Sequence, residues 1–251
     1  MRSAQRSVRI YLNSSPADGQ LALEPAEAHY LATVLRLRAG DEVTAFNGRG
    51  VEWNTRVRGL TRRAGLLEVL DTRSPLAESN LQLTLVQGVV KSEAMDTIVQ
   101  KATELGVSRI VPVVTEYCVV RLDEDRSARR LAHWQRVARS ACEQSGRHRP
   151  PEITSPISFE DYLDRSAAGG LRLMLDPRGR ADTLHELPTA AAAVDVIVGP
   201  EGGFGPRDEA LVTDGAILRL RFGPRVLRAD TAAISVCAFA QQRWGDLAAV
   251  E

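Results

Sequence analysis

The sequence predicts an α/β protein in which a small β-rich region precedes a larger region of parallel sheet and helices. Between residues 8 and 73, short apolar runs alternate with glycine-containing turns, which is typical of a small barrel or sandwich. After residue 80, strand-length apolar runs alternate with amphipathic helical stretches, a pattern that favours a parallel sheet covered by helices. We therefore expect two domains, at residues 1–73 and 80–251, with a linker at 73–79.

The first domain is predicted to contain four strands and one helix. Turn signals separate strands at residues 8–12, 42–46, 52–57 and 66–70. A helix is predicted at 25–35, because apolar residues recur there at the spacing of one helical face: Ala28, Leu31, Ala32 and Leu35.

The second domain is predicted to contain five strands and four helices. Strands are expected at 81–86, 109–114, 171–175, 194–198 and 216–221, and helices at 92–105, 128–145, 207–214 and 230–244. Gly106 is expected to end the first of these helices. Asp230 or Thr231 is expected to cap the last one.

Composition excludes several classes of protein. The 251 residues are 44% hydrophobic and carry 32 basic and 32 acidic residues, which excludes nucleic-acid binding by bulk charge alone. Three cysteines without paired spacing are predicted to be buried thiols in a reducing cytosol. Four histidines show no metal-binding spacing, so we expect no metal. The longest uncharged apolar-rich run, 231–240, is half of the ~20 residues that a membrane span needs, so a soluble cytoplasmic protein is expected.

The glycine-rich segment at residues 199–205 is the first candidate binding site. It directly follows a predicted strand, and ligands of open α/β sheets bind at the carboxyl ends of the strands. Its four glycines let the backbone approach a ligand closely. The segment matches neither a dinucleotide fingerprint nor a P-loop. A tight strand-to-helix turn without a ligand is the alternative interpretation.

Two further segments carry arginines beside a helix end. Residues 221–232 place Arg225, Arg228 and Asp230 between a strand and the last helix, where they are positioned to hold a polar ligand. Residues 141–151 place Arg147 and Arg149 after the long helix, where they are positioned to hold phosphates. Solvated helix charges remain the alternative for both.

The familiar catalytic motifs are absent from the sequence. It contains no GxSxG, no recognisable Cys–His pair and no carboxylate cluster. This pattern points away from hydrolases and towards a transfer reaction in which a cofactor carries the reactive group.

Taken together, the motifs resemble those of the ribosomal RNA small subunit methyltransferase E family. The resemblance rests on residues 29–41, 91–106, 112–120, 143–147, 199–204 and 222–232, in that order. It implies a C-terminal SPOUT-type α/β domain with a deep trefoil knot and an N-terminal PUA-like, β-rich RNA-binding barrel. It also implies a homodimer that uses S-adenosylmethionine to methylate N3 of uridine 1498 in 16S ribosomal RNA, either free or in the assembled small subunit. The alternatives are a non-catalytic RNA-binding protein of the same fold and a knotted methyltransferase of another RNA.

The resemblance also implies roles for individual residues. The cofactor pocket would be lined by Gly199, Pro200, Glu201, Gly202, Gly203, Gly223, Arg225, Val226, Leu227, Arg228, Thr231 and Ala232. RNA would be held by Arg36, Arg38, Lys91 and Arg147. Because uridine N3 must lose a proton, we expect Arg228 to stabilise the uracil anion and either Asp230 or Glu201 to accept the proton. The chain departs from the family pattern at Ala94, Tyr117-Cys118, Phe222 and Asp230.

Overall fold

A computed structural model describes residues 8–118, 124–165, 170–180, 186–212 and 217–248. The chain divides into two compact units. The first comprises Met1–Glu78 and Arg139–Pro150, and the second comprises Ser79–Ala138 and Pro151–Glu251. The first break, after Glu78, falls within the predicted linker.

A five-stranded sheet forms the first unit. Its strands are β1 (Val8–Tyr11), β2 (Gln20–Leu23), β3 (Glu42–Phe46), β4 (Glu52–Leu60) and β5 (Gly65–Arg73), in the spatial order β1-β3-β4-β5-β2. β1 runs parallel to β3 and the other neighbours are antiparallel. Alternate side chains such as Leu21, Val57 and Leu67 pack into one buried cluster, because successive residues of a strand face opposite sides.

Two elements of the first unit differ from prediction. β2 was missed because its four residues are too few to show the alternation of buried and exposed side chains that the structure has there. The predicted helix at 25–35 is a short helix α1 (Pro25–His29) followed by a π-helical turn (Tyr30–Val34). The wider turn arises because the Leu35 N–H donates to the Tyr30 carbonyl five residues earlier.

Seven parallel strands form the sheet of the second unit. They are β6 (Gln82–Gly88), β7 (Arg109–Val114), β8 (Glu152–Ile153), β9 (Ile157–Ser158), β10 (Leu171–Arg180), β11 (Ala193–Val198) and β12 (Leu218–Leu220). Their order is β12-β10-β11-β6-β7-β8, and β9 also pairs with β7. The central strands are buried on both faces, which explains their near-continuous apolar sequences.

Five helices of the second unit are described, of which one, α3, also reaches into the first. They are α2 (Ser92–Glu104), α3 (Glu124–Ser145), α4 (Phe159–Arg165), α5 (Pro206–Leu211) and α6 (Ala229–Trp244). α2 places Met95, Ile98 and Val99 in the core, where it packs with α6. Gly106 ends α2 with a φ of +79°, a conformation that glycine adopts without steric cost.

Several local predictions for the second unit need correction. The last helix is not capped by Asp230 or Thr231, because its N-cap is Arg228 and Asp230 lies in the first turn. β8, β9 and α4 were missed because their apolar runs are too short to show a period. Residues 214 and 216, predicted to bound a helix and a strand, lie outside the described part of the chain.

The cysteines are free, as predicted, but they are not all buried. Cys142 and Cys237 are buried, and burial raises the pKa of each thiol to about 12. Cys118 is half-buried, and its thiol donates to the Val89 carbonyl at 3.2 Å. Within the described ranges, no helix combines the length and apolarity needed to span a bilayer.

Candidate active site at the carboxyl ends of the strands

The strand register brings several candidate segments to one edge of the sheet in the second unit. Val198 of β11 lies opposite Gln87 of β6, and Gln87 lies opposite Pro112 of β7. On the other side, Leu175 of β10 lies opposite Leu220 of β12. Because all these strands run in parallel, the segments that follow β6, β7, β11 and β12 emerge at the same carboxyl edge.

The glycine loop at residues 199–203 is a tight turn. The Gly203 N–H donates to the Pro200 carbonyl at 2.9 Å, and Gly203 has a φ of +71°. The turn also lies directly on the end of β6, because a Cβ atom added to Gly88 would be 2.5 Å from the Pro200 nitrogen. A Cβ on Gly199 would be 3.2 Å from the Gly203 Cα. Gly88 and Gly199 therefore have no room for a side chain, because another stretch of backbone lies too close.

Two carboxylates connect the start of α5, just after the glycine loop, with the segment that follows β7. Asp208 is buried, and its Oδ2 accepts from the Gly205 N–H at 2.9 Å and from the Glu116 N–H at 3.0 Å. The Glu116 Oε2 accepts from the Arg207 N–H at 2.9 Å. These bonds satisfy free N–H groups at the start of α5 and hold the two segments together. Sequence reasoning missed both residues; an acid three residues after Gly205 was the available signal.

The segment after β12 lines a cavity at the same edge of the sheet. A cavity of about 290 Å³ is lined by Phe222, Gly223, Arg225, Leu227 and Ser235. Gly223 has a φ of +79°, so the chain turns sharply there. The Phe222 ring packs edge-on against Phe239 of α6 at 5.7 Å, which anchors one side of the cavity. Val226 is 79% exposed, and Arg225 and Arg228 are exposed.

The acidic and basic residues predicted to act in catalysis or in RNA binding also lie at the carboxyl edge of the sheet. Glu201 is exposed, and its Oε1 lies 3.5 Å from the backbone nitrogen of Lys91 after β6. Asp230 accepts from the Thr231 N–H at 2.7 Å, at the start of α6. Arg228 immediately precedes that helix. The structure thus brings Lys91 and Glu201 together, and Arg228 and Asp230 lie two residues apart at the start of α6.

A buried acid on β10 was not predicted. The Asp176 Oδ2 accepts from Arg219 at 3.0 Å, and its Oδ1 accepts from the Arg178 backbone N–H at 2.9 Å. Burial alone raises the pKa of Asp176, but the hydrogen bonds from Arg178 and Arg219 outweigh it, and the net pKa lies below the usual 3.8. Arg178 also pairs with Glu209 of α5. This network braces β10, β12 and α5 beside the glycine loop.

The other predicted RNA-binding arginines lie in the first unit. Arg36 and Arg38 are exposed. Arg36 has a φ of +55°, which is unusual for a residue with a side chain. Arg147 is largely buried, with a side chain only 12% exposed, and its Nε and Nη2 lie 2.9 and 2.8 Å from the Glu78 Oε2. An RNA contact for Arg147 stays a prediction, and its observed contact is an internal ion pair.

A larger cavity, of about 640 Å³, lies elsewhere in the second unit. It is lined by Thr189, Ala190, Ala191, Ala192, Gln242, Arg243, Trp244, Gly245 and Ala248. Its residues precede β11 or lie at and beyond the end of α6, which places it at the amino edge. Location therefore favours the smaller cavity, because ligands of open α/β sheets bind at the carboxyl edge.

Comparison with known proteins identifies the family. The RNA methyltransferase domain model matches residues 77–241, and the RNA methyltransferase PUA domain model matches residues 23–70. Ribosomal RNA small subunit methyltransferase E of Mycobacterium bovis is 30% identical over 229 residues, which cover 89% of this chain and 87% of that protein. The chain belongs to the ribosomal RNA small subunit methyltransferase E family. The Buchnera aphidicola (subsp. Schizaphis graminum) member of this family is 28% identical over 97% of this chain and 99% of that protein.

Solved structures of similar proteins agree with this family assignment. The small subunit methyltransferase E of Neisseria gonorrhoeae, bound to S-adenosyl methionine, matches with a TM-score of 0.86 and 32% identity over 96% of this chain and 99% of that chain. A methyltransferase from Legionella pneumophila in complex with the cofactor SAM matches with a TM-score of 0.91 and 33% identity over 96% of this chain and all of that chain. The predicted fold class, an α/β methyltransferase domain with a PUA-like β-rich domain, is confirmed, and the trefoil knot stays a prediction.

Proposed function

We propose that this chain uses S-adenosylmethionine to methylate N3 of uridine 1498 in 16S ribosomal RNA. The supporting observation is that two loops, the glycine loop 199–203 and the segment 221–228, emerge at the same carboxyl edge of the sheet in a chain of this family. Two similar proteins with this fold, at 33% and 32% identity, hold S-adenosylmethionine. The cofactor assignment rests on that likeness and on the fit of the residues present here.

The residues at the edge suit this cofactor. The cavity of about 290 Å³ lies at the lower end of the size range of small-molecule pockets and suits the adenosine part. Backbone groups of Val226 and Leu227 would read the adenine edge. Gln87, buried at the end of β6, has its Nε2 within 3.5 Å of the Val198 and Gly199 carbonyls, so it supports the start of the glycine loop. When bound, S-adenosylmethionine supplies an electrophilic methyl group.

The remaining predicted cofactor contacts come from both segments. The glycine loop would contribute Gly199, Pro200, Glu201, Gly202 and Gly203, and the second segment Gly223, Arg225, Thr231 and Ala232. Most of the rate enhancement would come from orienting donor and acceptor, because methyl transfer is an in-line displacement.

Arg228 and one of two acids would act on the uracil. The N3–H of uridine must be lost before or during attack, and the Arg228 guanidinium would stabilise the resulting anion. Either Glu201 or Asp230 would accept the proton; both carboxylates lie at the carboxyl edge. Because pairing hides N3, the target uridine would be unpaired or flipped out.

RNA and a second copy of the chain complete the proposed assembly. The exposed Arg36 and Arg38 of the PUA-like domain, with Lys91, would contact phosphates. The chain's zero net charge favours a structured particle, the small ribosomal subunit, over naked RNA as substrate. A homodimer would cover exposed groups such as Val226.

Transfer of labelled methyl groups tests this function. Ribosomal RNA lacking the mark would be offered free and as small subunits, then digested to nucleosides and analysed by mass. The expected product is 3-methyluridine at position 1498, with the subunit as the better substrate. Label on another nucleoside would keep the methyltransferase and overturn the target. No label, with no cofactor binding by calorimetry, would leave a non-catalytic RNA-binding protein.

A further inference from the structure

A large aromatic side chain is exposed beside the glycine loop. Tyr117 is 48% exposed and lies in the segment that follows β7. Its Cβ atom would be 2.8 Å, and its carbonyl oxygen 3.2 Å, from a Cβ added to Gly202. Gly202 therefore leaves the space that Tyr117 occupies, and the tyrosine stands at the rim of the proposed cofactor site.

The backbone on both sides of Tyr117 is held in place. The Glu116 N–H donates to the buried Asp208, and the Glu116 carboxylate accepts from the Arg207 N–H. On the other side, the Cys118 N–H donates to the Thr115 carbonyl at 3.1 Å, and its thiol donates to the Val89 carbonyl at 3.2 Å. An exposed ring on an anchored backbone loses little conformational entropy when a ligand binds.

The surroundings of the ring suit a nucleotide. Lys91 and Arg207 are exposed at the same edge and can hold phosphates. Enzymes that act on a base in RNA extract it from its stack and hold it against aromatic or apolar side chains. Uracil has a flat face and little hydrogen-bonding capacity to spare while N3 reacts, so a stacking partner holds it without competing for its polar edge.

We propose that Tyr117 is the platform on which the target uracil stacks during methylation. This inference rests on the proposed function. It assigns the ring of Tyr117 to the base, and it makes Asp208 and Glu116 positioning residues that hold the platform against the glycine loop.

Kinetics of Tyr117→Phe, Tyr117→Leu and Tyr117→Ala test the proposal. The phenylalanine variant keeps the ring, so its kcat/KM for RNA stays within about twofold of wild type, whereas the leucine and alanine variants lose roughly 10- to 100-fold, as expected for one lost base stack. The Kd for S-adenosylmethionine and the melting temperature stay unchanged. Leu247→Ala is the matched control, because Leu247 is 49% exposed and follows α6 at the amino edge; its activity stays at the wild-type level.

Photo-crosslinking gives a readout that does not depend on turnover. RNA with 5-iodouridine at the target position is irradiated with the wild-type protein, and the crosslink is expected on the tryptic peptide 110–121 at Tyr117. A leucine variant as active as wild type, or a crosslink elsewhere, overturns the proposal. Conversion of a dimer to a monomer by Tyr117→Ala in sedimentation also overturns it, because the ring would then belong to an interface between copies. Wild type that crosslinks at Tyr117 without methylating RNA would refute the proposed function alone.

Discussion

Residues 143–149 and residues 221–230 both place arginines and an acid at a helix end, yet the structure uses their charges in opposite ways. In the first segment, Arg147 is paired with Glu78, with the two side chains only 12% and 21% exposed. The Glu143 carboxylate accepts from the Tyr11 N–H at 2.9 Å. In the second segment, Arg225 and Arg228 are exposed at the carboxyl edge of the sheet.

Burial and a carboxylate partner therefore distinguish structural arginines from arginines that can bind a ligand. A buried arginine with a carboxylate partner is held within the fold, because removing the arginine alone would leave a buried charge with less compensation. An exposed arginine at the edge where ligands bind adds little to stability. Its charge is available to a substrate. Substitutions in each segment test whether the two segments divide in this way.

The largest expected effect is on catalysis by Arg228→Ala. Loss of a donor to the developing uracil anion lowers kcat by roughly 100- to 1,000-fold, as for other oxyanion-stabilising groups. The melting temperature stays unchanged because the side chain is exposed. The measurement is methyl transfer to small subunits with saturating cofactor. Arg165→Ala is the control and retains full activity, because Arg165 is 69% exposed at the end of α4. An Arg228→Ala enzyme with normal kcat would remove Arg228 from the mechanism.

The second prediction concerns stability. Arg147→Ala removes the cation that lies 2.8 Å from the Glu78 Oε2, while the His148 Nδ1 at 3.4 Å and the Arg149 N–H at 3.2 Å stay on the Oε1. Because the carboxylate is largely buried and loses its strongest partner, we expect the free energy of unfolding to fall by about 2 kcal/mol. Urea unfolding measures the loss, and methyl transfer per folded molecule stays close to wild type. The double variant Glu78→Leu/Arg147→Met removes both charges and recovers most of the loss. If Arg147→Ala instead weakened RNA binding and left unfolding unchanged, Arg147 would be a ligand-binding arginine. The contrast between residues 143–149 and residues 221–230 would then be wrong.

A smaller effect is expected from Glu143→Gln, and it depends on pH. Burial raises the pKa of Glu143 above its usual 4.5, although the Tyr11 hydrogen bond and Arg9 oppose the shift. The protonated carboxyl therefore favours the folded state: its contribution is present below pH 4.5 and is lost as the pH rises through the raised pKa. Glutamine keeps an acceptor for Tyr11 without this loss. We expect the variant to gain roughly 1 kcal/mol or less relative to wild type at pH 7. Urea titrations at pH 4 and 7 measure the difference, and an equal effect at both would contradict it.

Much of the architecture could be predicted from the sequence, because most helices and strands show a local pattern of apolar residues. The apolar run at 194–198 and the helical spacing of Met95, Ile98 and Val99 each identify an element without knowledge of the rest of the fold. Glycines at 199–203 and 223 mark backbone that turns sharply, which is a local property too. Short elements such as β8 and β9 carry too few residues to show a period.

The contacts that define the site depend on partners far away in the sequence. Asp208 accepts from the N–H of Glu116, which lies 92 residues earlier in the sequence. No residue near Asp208 in the sequence indicates that contact. Arg147 looked available for RNA because Glu78, 69 residues away, is not part of its motif. Local sequence therefore indicates which residues are charged, while burial and distant partners decide whether the charge is used internally.

The smallest expected effect comes from an ion pair with the same chemistry but more exposure. Arg56 Nη2 lies 2.7 Å from Glu42 Oε1, nearly the distance of 2.8 Å between Arg147 Nη2 and Glu78 Oε2. The side chains of Arg56 and Glu42 are 43% and 60% exposed, so water and salt screen their attraction. Arg56→Ala is therefore expected to leave the urea midpoint unchanged within error, at low and at high salt. Unfolding Arg56→Ala and Arg147→Ala in parallel isolates burial, because the pair distances match. A loss for Arg56→Ala as large as that for Arg147→Ala would show that pairing alone, without burial, sets the contribution of these arginines to stability.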